Sequence, residues 1–216
     1  MPAFKTEGVI LKRRDFGEAD RILTIFTQKE GKITVLARGV RKITSRRAGN
    51  IELLNRVTLF LYPGKNFLIL TEAESLDTYP KLKENLTLSA TAFHIIELVD
   101  RLTAENQENR VLFSHLVEVL KRLSSNPRQI WVRAFEVKAL SNLGFASFIT
   151  NGVNLTHPKG VQRVLENLEV MGWNEIEKIE VKPEVGMELE KILGYYLERV
   201  IEGKLRSREI LKEKKR

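Results

Sequence analysis

A ten-residue segment near the N-terminus, residues 38–47 (RGVRKITSRR), has the composition best suited to bind a polyanion. This basic segment contains five cationic side chains and no acidic one. The five are Arg38, Arg41, Lys42, Arg46 and Arg47. A cluster of like charges repels itself and is stabilised by an anion, and a phosphate backbone supplies a row of anions. We predict that the basic segment contacts nucleic-acid phosphates; a solvated surface loop is the alternative.

Two further features could join this contact. Arg13 and Arg14 lie at the end of the first predicted strand, where they could share a face with the basic segment. Aromatic rings can stack on bases, and five occur in the same part of the chain: Phe16, Phe26, Phe60, Tyr62 and Phe67. We expect most of these rings to fill the interior of a small barrel, with a minority left exposed for stacking.

Catalytic chemistry has little support in the residue pattern. The chain has no cysteine, which excludes thiol nucleophiles, disulfides and thiolate zinc sites. The three histidines lack HxxxH or HExxH spacing. Asp15, Glu18 and Asp20 crowd one turn and could hold a divalent metal for hydrolysis, although pairing with neighbouring arginines is the alternative. We predict no catalytic residue, no metal site and no cofactor.

The excess positive charge is confined to the two ends of the chain. There are 36 Lys and Arg against 28 Asp and Glu, a net charge of +8. Residues 1–80 carry +5, residues 81–203 carry −2 and residues 204–216 carry +5. This confinement favours a localised anion-binding surface over a general basicity.

Residues 1–80, which must position the basic segment, have the pattern of short β-strands. Runs rich in Val, Ile, Leu, Phe and Thr are separated by turns that contain glycine, proline or asparagine. The runs are 8–11, 21–27, 32–38, 57–62 and 67–71. Five such strands predict a closed barrel, which leaves no exposed sheet edge. We predict an OB-fold; an SH3-like barrel would show a similar pattern.

From about residue 85 the apolar residues recur every three or four positions, which predicts helices. Asn126-Pro127 has the pattern of an N-cap followed by proline at the first helical position. The predicted fold class is α+β, with an OB-fold domain at 1–80 and an α-helical domain with a basic C-terminal tail at 81–216. No stretch is apolar enough to suggest a membrane span and the N-terminus lacks an export signal, so we expect a cytoplasmic protein.

Several segments resemble the RecO family of bacterial recombination mediators. KTEGVILK at 5–12 and DFGEADRIL at 15–23 do so, as do ARGVRK at 37–42 and SRRAG at 45–49. Weaker similarity is found, in the same order along the chain, at 70–74, 143–145 and 205–211. The resemblance is specific over residues 5–54 and collinear over most of the chain.

The resemblance implies an N-terminal OB-fold followed by a helical domain, in agreement with the prediction from the residues. It also implies a non-catalytic, nucleoid-associated DNA repair protein that binds single- and double-stranded DNA and anneals complementary strands. The implied partners are RecR and the single-stranded-DNA-binding protein, with RecA loaded indirectly at gaps in the RecF pathway. Two other classes stay open: a metal-dependent nucleic-acid hydrolase and an RNA-binding OB-fold protein.

The resemblance also bears on partner and metal sites. Together with local composition, it implies that the helical domain binds the acidic C-terminal peptide of the single-stranded-DNA-binding protein. The cations that could meet a peptide carboxylate are Lys121, Arg122, Arg128 and Arg133. Many family members carry a four-cysteine zinc module, but residues 146–160 contain no cysteine here. Zinc is therefore not carried over, and a loop is expected in that region.

Overall fold

The computed structural model describes residues 2–145 and 159–208. The N-terminal half is a five-stranded sheet formed by β1 (Phe4–Phe16), β2 (Asp20–Thr27), β3 (Gly31–Ala37), β4 (Arg56–Pro63) and β5 (Leu68–Asp77). The sheet closes into a barrel in the order β1-β2-β3-β5-β4. Strands β3 and β5 pair in parallel, whereas the other neighbours are antiparallel. The predicted OB-fold barrel followed by helices is confirmed.

The barrel interior is filled by aliphatic side chains, because alternate residues of each strand point inward. On β3, Ile33, Val35 and Ala37 are at most 2% exposed and belong to this core. The connection between β3 and β4 contributes to it as well, since Val40 and Ile51 are also buried there. The basic segment is therefore anchored by apolar side chains rather than suspended in solvent.

Seven helices follow in the described residues, and residues 206–208 at the end of the described part are helical as well. The seven are α1 (Pro80–Glu84), α2 (Leu86–Leu102), α3 (Arg110–Ser125), α4 (Gln129–Asn142), α5 (Lys159–Val170), α6 (Trp173–Ile176) and α7 (Pro183–Val200). The Asn85 side chain caps the start of α2 by accepting from the backbone N–H of Thr87 and Leu88. The longer helices bury their apolar stripes in one common core. None of the helices in the described ranges is long and apolar enough to cross a bilayer.

The predicted start of α4 is wrong by two residues. The helix begins at Gln129 with Arg128 in the N-cap position, so Pro127 lies outside it. Asn126 instead ends α3, where its backbone N–H donates to the carbonyl of Arg122 at 2.8 Å. Its own carbonyl accepts a hydrogen bond from the Trp131 indole at 2.9 Å. The backbone of Asn126 thus ends α3 and also holds the Trp131 ring of α4 in place.

The barrel and the helices share part of their core. Val9, Leu11 and Phe26 point away from the barrel interior and pack in the helical core. The Phe26 ring lies 6.2 Å from that of Phe113 on α3. The division into domains 1–80 and 81–216 stays a prediction. The expected loop at 146–160 falls almost wholly outside the described residues, as does most of the basic tail.

Candidate nucleic-acid interface

One row of outward-facing residues crosses four strands of the barrel. Arg14 on β1 pairs with Ile22 on β2, Ile22 pairs with Leu36 on β3, and Leu36 pairs with Ile69 on β5. Directly opposed residues on neighbouring strands lie on the same face of a sheet. Arg14 is the exposed member of the row, whereas Ile22 and Leu36 are only 3% and 7% exposed and Ile69 is half-buried. The row therefore places an exposed cation beside an apolar strip that is largely covered by neighbouring side chains. We call this surface the outer face.

Two hairpin turns flank the outer face. Phe16 ends β1 at the first turn, and Phe67 precedes β5 at the second. Their ring centroids are 6.5 Å apart in an edge-on arrangement, and Phe16 is 44% exposed. In OB-folds the face of the second and third strands and these two hairpin loops bind oligonucleotides. The two rings thus occupy positions from which they could contact bases.

The expectation that most aromatic rings fill the barrel is wrong. Phe16 and Tyr62 are 44% and 56% exposed, and Phe60 and Phe67 are half-buried. Phe26 alone among the five is fully buried, and it lies in the helical core. The physical reason is that Ile, Leu and Val side chains already occupy the barrel interior. Stacking candidates are therefore more numerous than the sequence indicated.

The basic segment docks against the hairpin that carries Phe16. The backbone N–H of Gly39 donates to the Asp20 carboxylate at 2.7 Å. The backbone N–H of Arg41 donates to the Ala19 carbonyl at 2.9 Å. These bonds bring the cations of the basic segment next to one end of the outer face.

The seven predicted phosphate contacts differ in how free their side chains are. Within the described residues, Arg14, Arg38, Lys42 and Arg46 are exposed and make no ion pair or side-chain hydrogen bond. Arg13 is paired with Glu52. Arg41 is partly engaged, because its guanidinium lies 3.3 Å from the Asp15 carboxylate and 3.3 Å from the Gly17 carbonyl. Four cations are therefore available to an incoming phosphate backbone without breaking an existing contact.

Arg47 has a different role from its neighbours in the basic segment. Its guanidinium donates to the carbonyls of Leu70 at 2.7 Å, Thr71 at 3.2 Å and Arg38 at 2.8 Å. These bonds tie both ends of the basic segment to β5. Because its donors are satisfied by the protein, Arg47 is suited to hold the segment in place.

We expect Arg47→Ala to lower the free energy of unfolding by about 1 kcal/mol, because charge-assisted hydrogen bonds to three carbonyls are lost. Chemical denaturation of the variant measures this change. Arg46→Ala is the control, since the exposed Arg46 side chain makes no ion pair or hydrogen bond within the described ranges and its removal should leave stability within about 0.5 kcal/mol. Equal stability of the two variants would contradict the anchoring role.

Of the three acidic residues of the first turn, Asp15 and Asp20 are used in protein contacts, whereas the Glu18 side chain is exposed. Asp15 lies 3.1 Å from the Arg21 guanidinium and 3.3 Å from that of Arg41. Asp20 accepts from the Gly39 backbone. Among the residues that the structure describes, no three His, Cys, Asp or Glu side chains lie together as a metal could require. This arrangement gives the hydrolase alternative no geometric support.

The four cations predicted to bind a partner peptide do not form one cluster. Arg122 and Arg128 lie over the Trp131 ring, 4.9 and 5.5 Å from its centroid. Arg122 also binds Glu118 at 2.7 Å, and Arg128 donates to two backbone carbonyls at 2.6 and 2.9 Å. Lys121 is exposed on α3. Arg128 and Arg133, by contrast, line the same groove.

That groove, which we call the α4–α7 groove, has a volume of about 300 Å³. Its apolar lining includes Ile130, Val181 and the 68% exposed Met187, and Lys182 lies at its edge. Sequence reasoning missed these residues. Val181 and Lys182 lie in a non-helical connection, where periodicity carries no signal, and only tertiary packing brings them next to α4.

Comparison with known proteins agrees with this architecture. The family model for the N-terminal part of recombination protein O matches residues 1–79, and the model for its C-terminal part matches residues 83–154. Together the two models cover most of the chain, and their junction falls between β5 and α2.

Individual relatives show the same similarity. The DNA repair protein RecO of Pelotomaculum thermopropionicum is 35% identical over 145 residues, which are 67% of this chain and 57% of the relative. That of a Roseiflexus species is 41% identical over 143 residues, 66% of this chain and 50% of the relative. That of Moorella thermoacetica is 26% identical over 242 aligned positions, 97% of this chain and 91% of the relative. The chain spans about half the length of the first two relatives. The matches of both family models and of these relatives show that the chain belongs to the recombination protein O (RecO) family of DNA repair proteins.

Proposed function

We propose that the outer face and the basic segment together bind DNA through its phosphate backbone and anneal complementary strands. The observation that carries this proposal is the position of the four free cations, which are Arg14, Arg38, Lys42 and Arg46. They lie around the OB-fold surface that carries the exposed Phe16 ring and the half-buried Phe67 ring. Backbone contacts of this kind hold any sequence, and aromatic rings favour single strands whose bases are free to stack.

The proposed annealing mechanism needs no catalytic residue. Cationic side chains lower the repulsion between two phosphate backbones that approach the same surface. Base pairing then supplies the specificity, because only complementary strands gain stacking and hydrogen bonds. Membership of the family supports the further proposal that the protein acts with RecR and the single-stranded-DNA-binding protein to promote loading of RecA.

The direct test is annealing of complementary labelled oligonucleotides, measured with and without the protein. We expect a faster rate that falls steeply with salt, since counterion release governs phosphate binding. Addition of Mg²⁺ or Mn²⁺ should leave both strands intact, whereas cleavage would favour a hydrolase. Binding to an RNA strand of the same sequence tests the remaining alternative, an RNA-binding OB-fold protein, because such a protein would bind the RNA more tightly than the DNA.

We also propose that the α4–α7 groove binds the acidic C-terminal peptide of the single-stranded-DNA-binding protein. An apolar lining with cations at its edge suits a peptide that carries both apolar side chains and carboxylates. Arg133 is held at the groove by Glu136, whose carboxylate it contacts at 2.7 Å. Arg128 is held by the carbonyls of Glu177 and Ile179. These contacts fix both guanidinium groups before a peptide arrives.

Lys182→Glu is expected to weaken binding of this peptide about tenfold, because it replaces attraction by repulsion at the edge of the groove. Fluorescence anisotropy with a labelled peptide measures the affinity. Lys121→Glu is the matched control, since Lys121 is exposed and does not line the groove. If the Lys121 variant loses peptide binding while the Lys182 variant binds as the parent does, the peptide binds outside the α4–α7 groove.

A further inference from the structure

A second groove lies between the barrel and α2. It has a volume of about 530 Å³, and its floor is formed by Leu11, Ile22, Leu53 and Ile96. Phe93 of α2 forms one wall and is 40% exposed. This groove continues the outer face, because Arg14 and Ile22 belong to both.

Cations surround the rim of the groove. Lys12 is paired with Asp100 and Arg13 with Glu52. Arg14 and Arg206, in contrast, are exposed and have no ion pair within the described parts of the chain. The rim therefore offers two free guanidinium groups, one contributed by the barrel and one by the segment that follows α7.

A buried polar chain holds Arg206 at the rim. The Glu97 carboxylate accepts the backbone N–H of Arg206 at 3.0 Å and that of Ser207 at 2.9 Å. The Ser207 hydroxyl lies 3.1 Å from His94 Nδ1, and His94 Nε2 lies 2.8 Å from the Glu136 carboxylate. Because His94 and Glu136 are 2% and 1% exposed, this chain is a fixed internal support.

The ionisation of this chain agrees with its supporting role. Burial alone would raise the pKa of Glu97, but hydrogen bonds from Ser207 and Arg206 outweigh burial, and the pKa lies below its usual value. Burial likewise opposes ionisation of Glu136, and the Arg133 charge together with the His94 hydrogen bond lowers its pKa. Both carboxylates are therefore ionised at neutral pH and accept these hydrogen bonds.

We infer that this groove is a second subsite for single-stranded DNA, in which an unstacked base lies against Phe93 while Arg14 and Arg206 contact the adjoining phosphates. The inference rests on the proposed DNA binding of the outer face and extends the path of the strand toward the helices. An apolar floor, an exposed ring and a cationic rim are the combination that single strands require. A duplex keeps its bases stacked inside and cannot use the groove in this way.

The test compares Phe93→Ala with Tyr195→Ala, which removes a ring on α7 that is more exposed than Phe93 (56% against 40%) and does not line the groove. We expect Phe93→Ala to weaken binding of a dT oligonucleotide about tenfold, the effect of losing one base–aromatic stack, with no change in duplex affinity. The Tyr195 variant should bind both forms as the parent does. Thermal melting of each variant confirms that it is folded.

A charge variant tests the same subsite through salt dependence. Arg206→Ala should make the slope of log affinity against log salt shallower by about 0.7, the value for one phosphate of a single strand. Arg199→Ala, which removes an exposed cation outside the groove, should leave the slope unchanged.

The outcomes separate the two proposals. If the parent protein binds no single-stranded DNA, the proposed function itself is wrong. If the parent binds and Phe93→Ala binds with the same affinity, only the groove subsite is wrong. Photo-crosslinking with 5-iodouracil DNA gives a positive readout, because cross-links to Phe93 are expected. Competition by an acidic peptide for the groove, without any loss of DNA binding, would assign it to a protein partner and overturn the inference.

Discussion

Replacing Arg38, Lys42 and Arg46 together by Ala is expected to weaken binding of single-stranded DNA about a hundredfold at 0.1 M salt. Each phosphate contact on a single strand contributes about 0.7 to the slope of log affinity against log salt, so each is worth roughly 0.7 of a decade at this salt concentration. Four free cations predict a slope of roughly −3 for the parent protein, and the triple variant should retain about −1.

Nitrocellulose filter binding or anisotropy over a salt series measures this slope. The control variant removes three exposed cations that lie beyond the barrel, Lys159 and Arg163 on α5 and Lys178 just after α6, and has the same net charge as the test variant. If net charge alone attracted the DNA, both variants would lose affinity equally. If the test variant keeps the salt slope and the annealing rate of the parent protein, the basic segment does not bind DNA and is a solvated surface loop.

Gly31→Ala is expected to destabilise the protein by about 3 kcal/mol, the largest stability effect that we predict for a single methyl group. Gly31 has a φ of 67°, a left-handed conformation that costs an alanine about 1 kcal/mol. A Cβ atom at this position would also lie 2.0 Å from the carbonyl oxygen of Gln107. The β2–β3 hairpin would have to move away from the connection between α2 and α3.

That displacement would break the junction of the barrel with the helices. The Lys32 carbonyl accepts the backbone N–H of Asn106 at 2.8 Å directly beside Gly31. Gly17→Ala is the matched control, because Gly17 has a φ of 57° and nothing within 4 Å of its Cβ position. In urea denaturation, the free energy of unfolding should fall by about 1 kcal/mol for Gly17→Ala and by about 3 kcal/mol for Gly31→Ala. Equal losses would mean that the close approach to Gln107 contributes nothing.

The sequence determined which segments form strands and helices. Two-residue alternation in runs such as 32–38 and three- to four-residue spacing in α2, α3 and α7 are local patterns, and the structure confirms them. The start of α4 is the exception. The Asn-Pro pattern is local and predicted a helix start at Pro127, whereas the hydrogen bond that the Asn126 carbonyl accepts from the Trp131 indole depends on where Trp131 packs. Composition also identified the basic segment, since a run of cations is visible without any knowledge of contacts.

Only the tertiary structure decided which of these cations are free of hydrogen bonds and ion pairs with the rest of the protein. Arg46 and Arg47 are adjacent and chemically identical in the sequence, yet Arg47 is bound to three carbonyls and Arg46 is exposed. The same holds for Phe93. The sequence places this ring outside the apolar stripe of α2, but it does not show which part of the protein lies beside the ring. Its groove exists only because residues more than 100 positions apart along the chain, Leu11 and Arg206 among them, meet there. Local pattern encodes the elements, whereas the free or bound state of a side chain depends on neighbours that folding brings from distant parts of the chain.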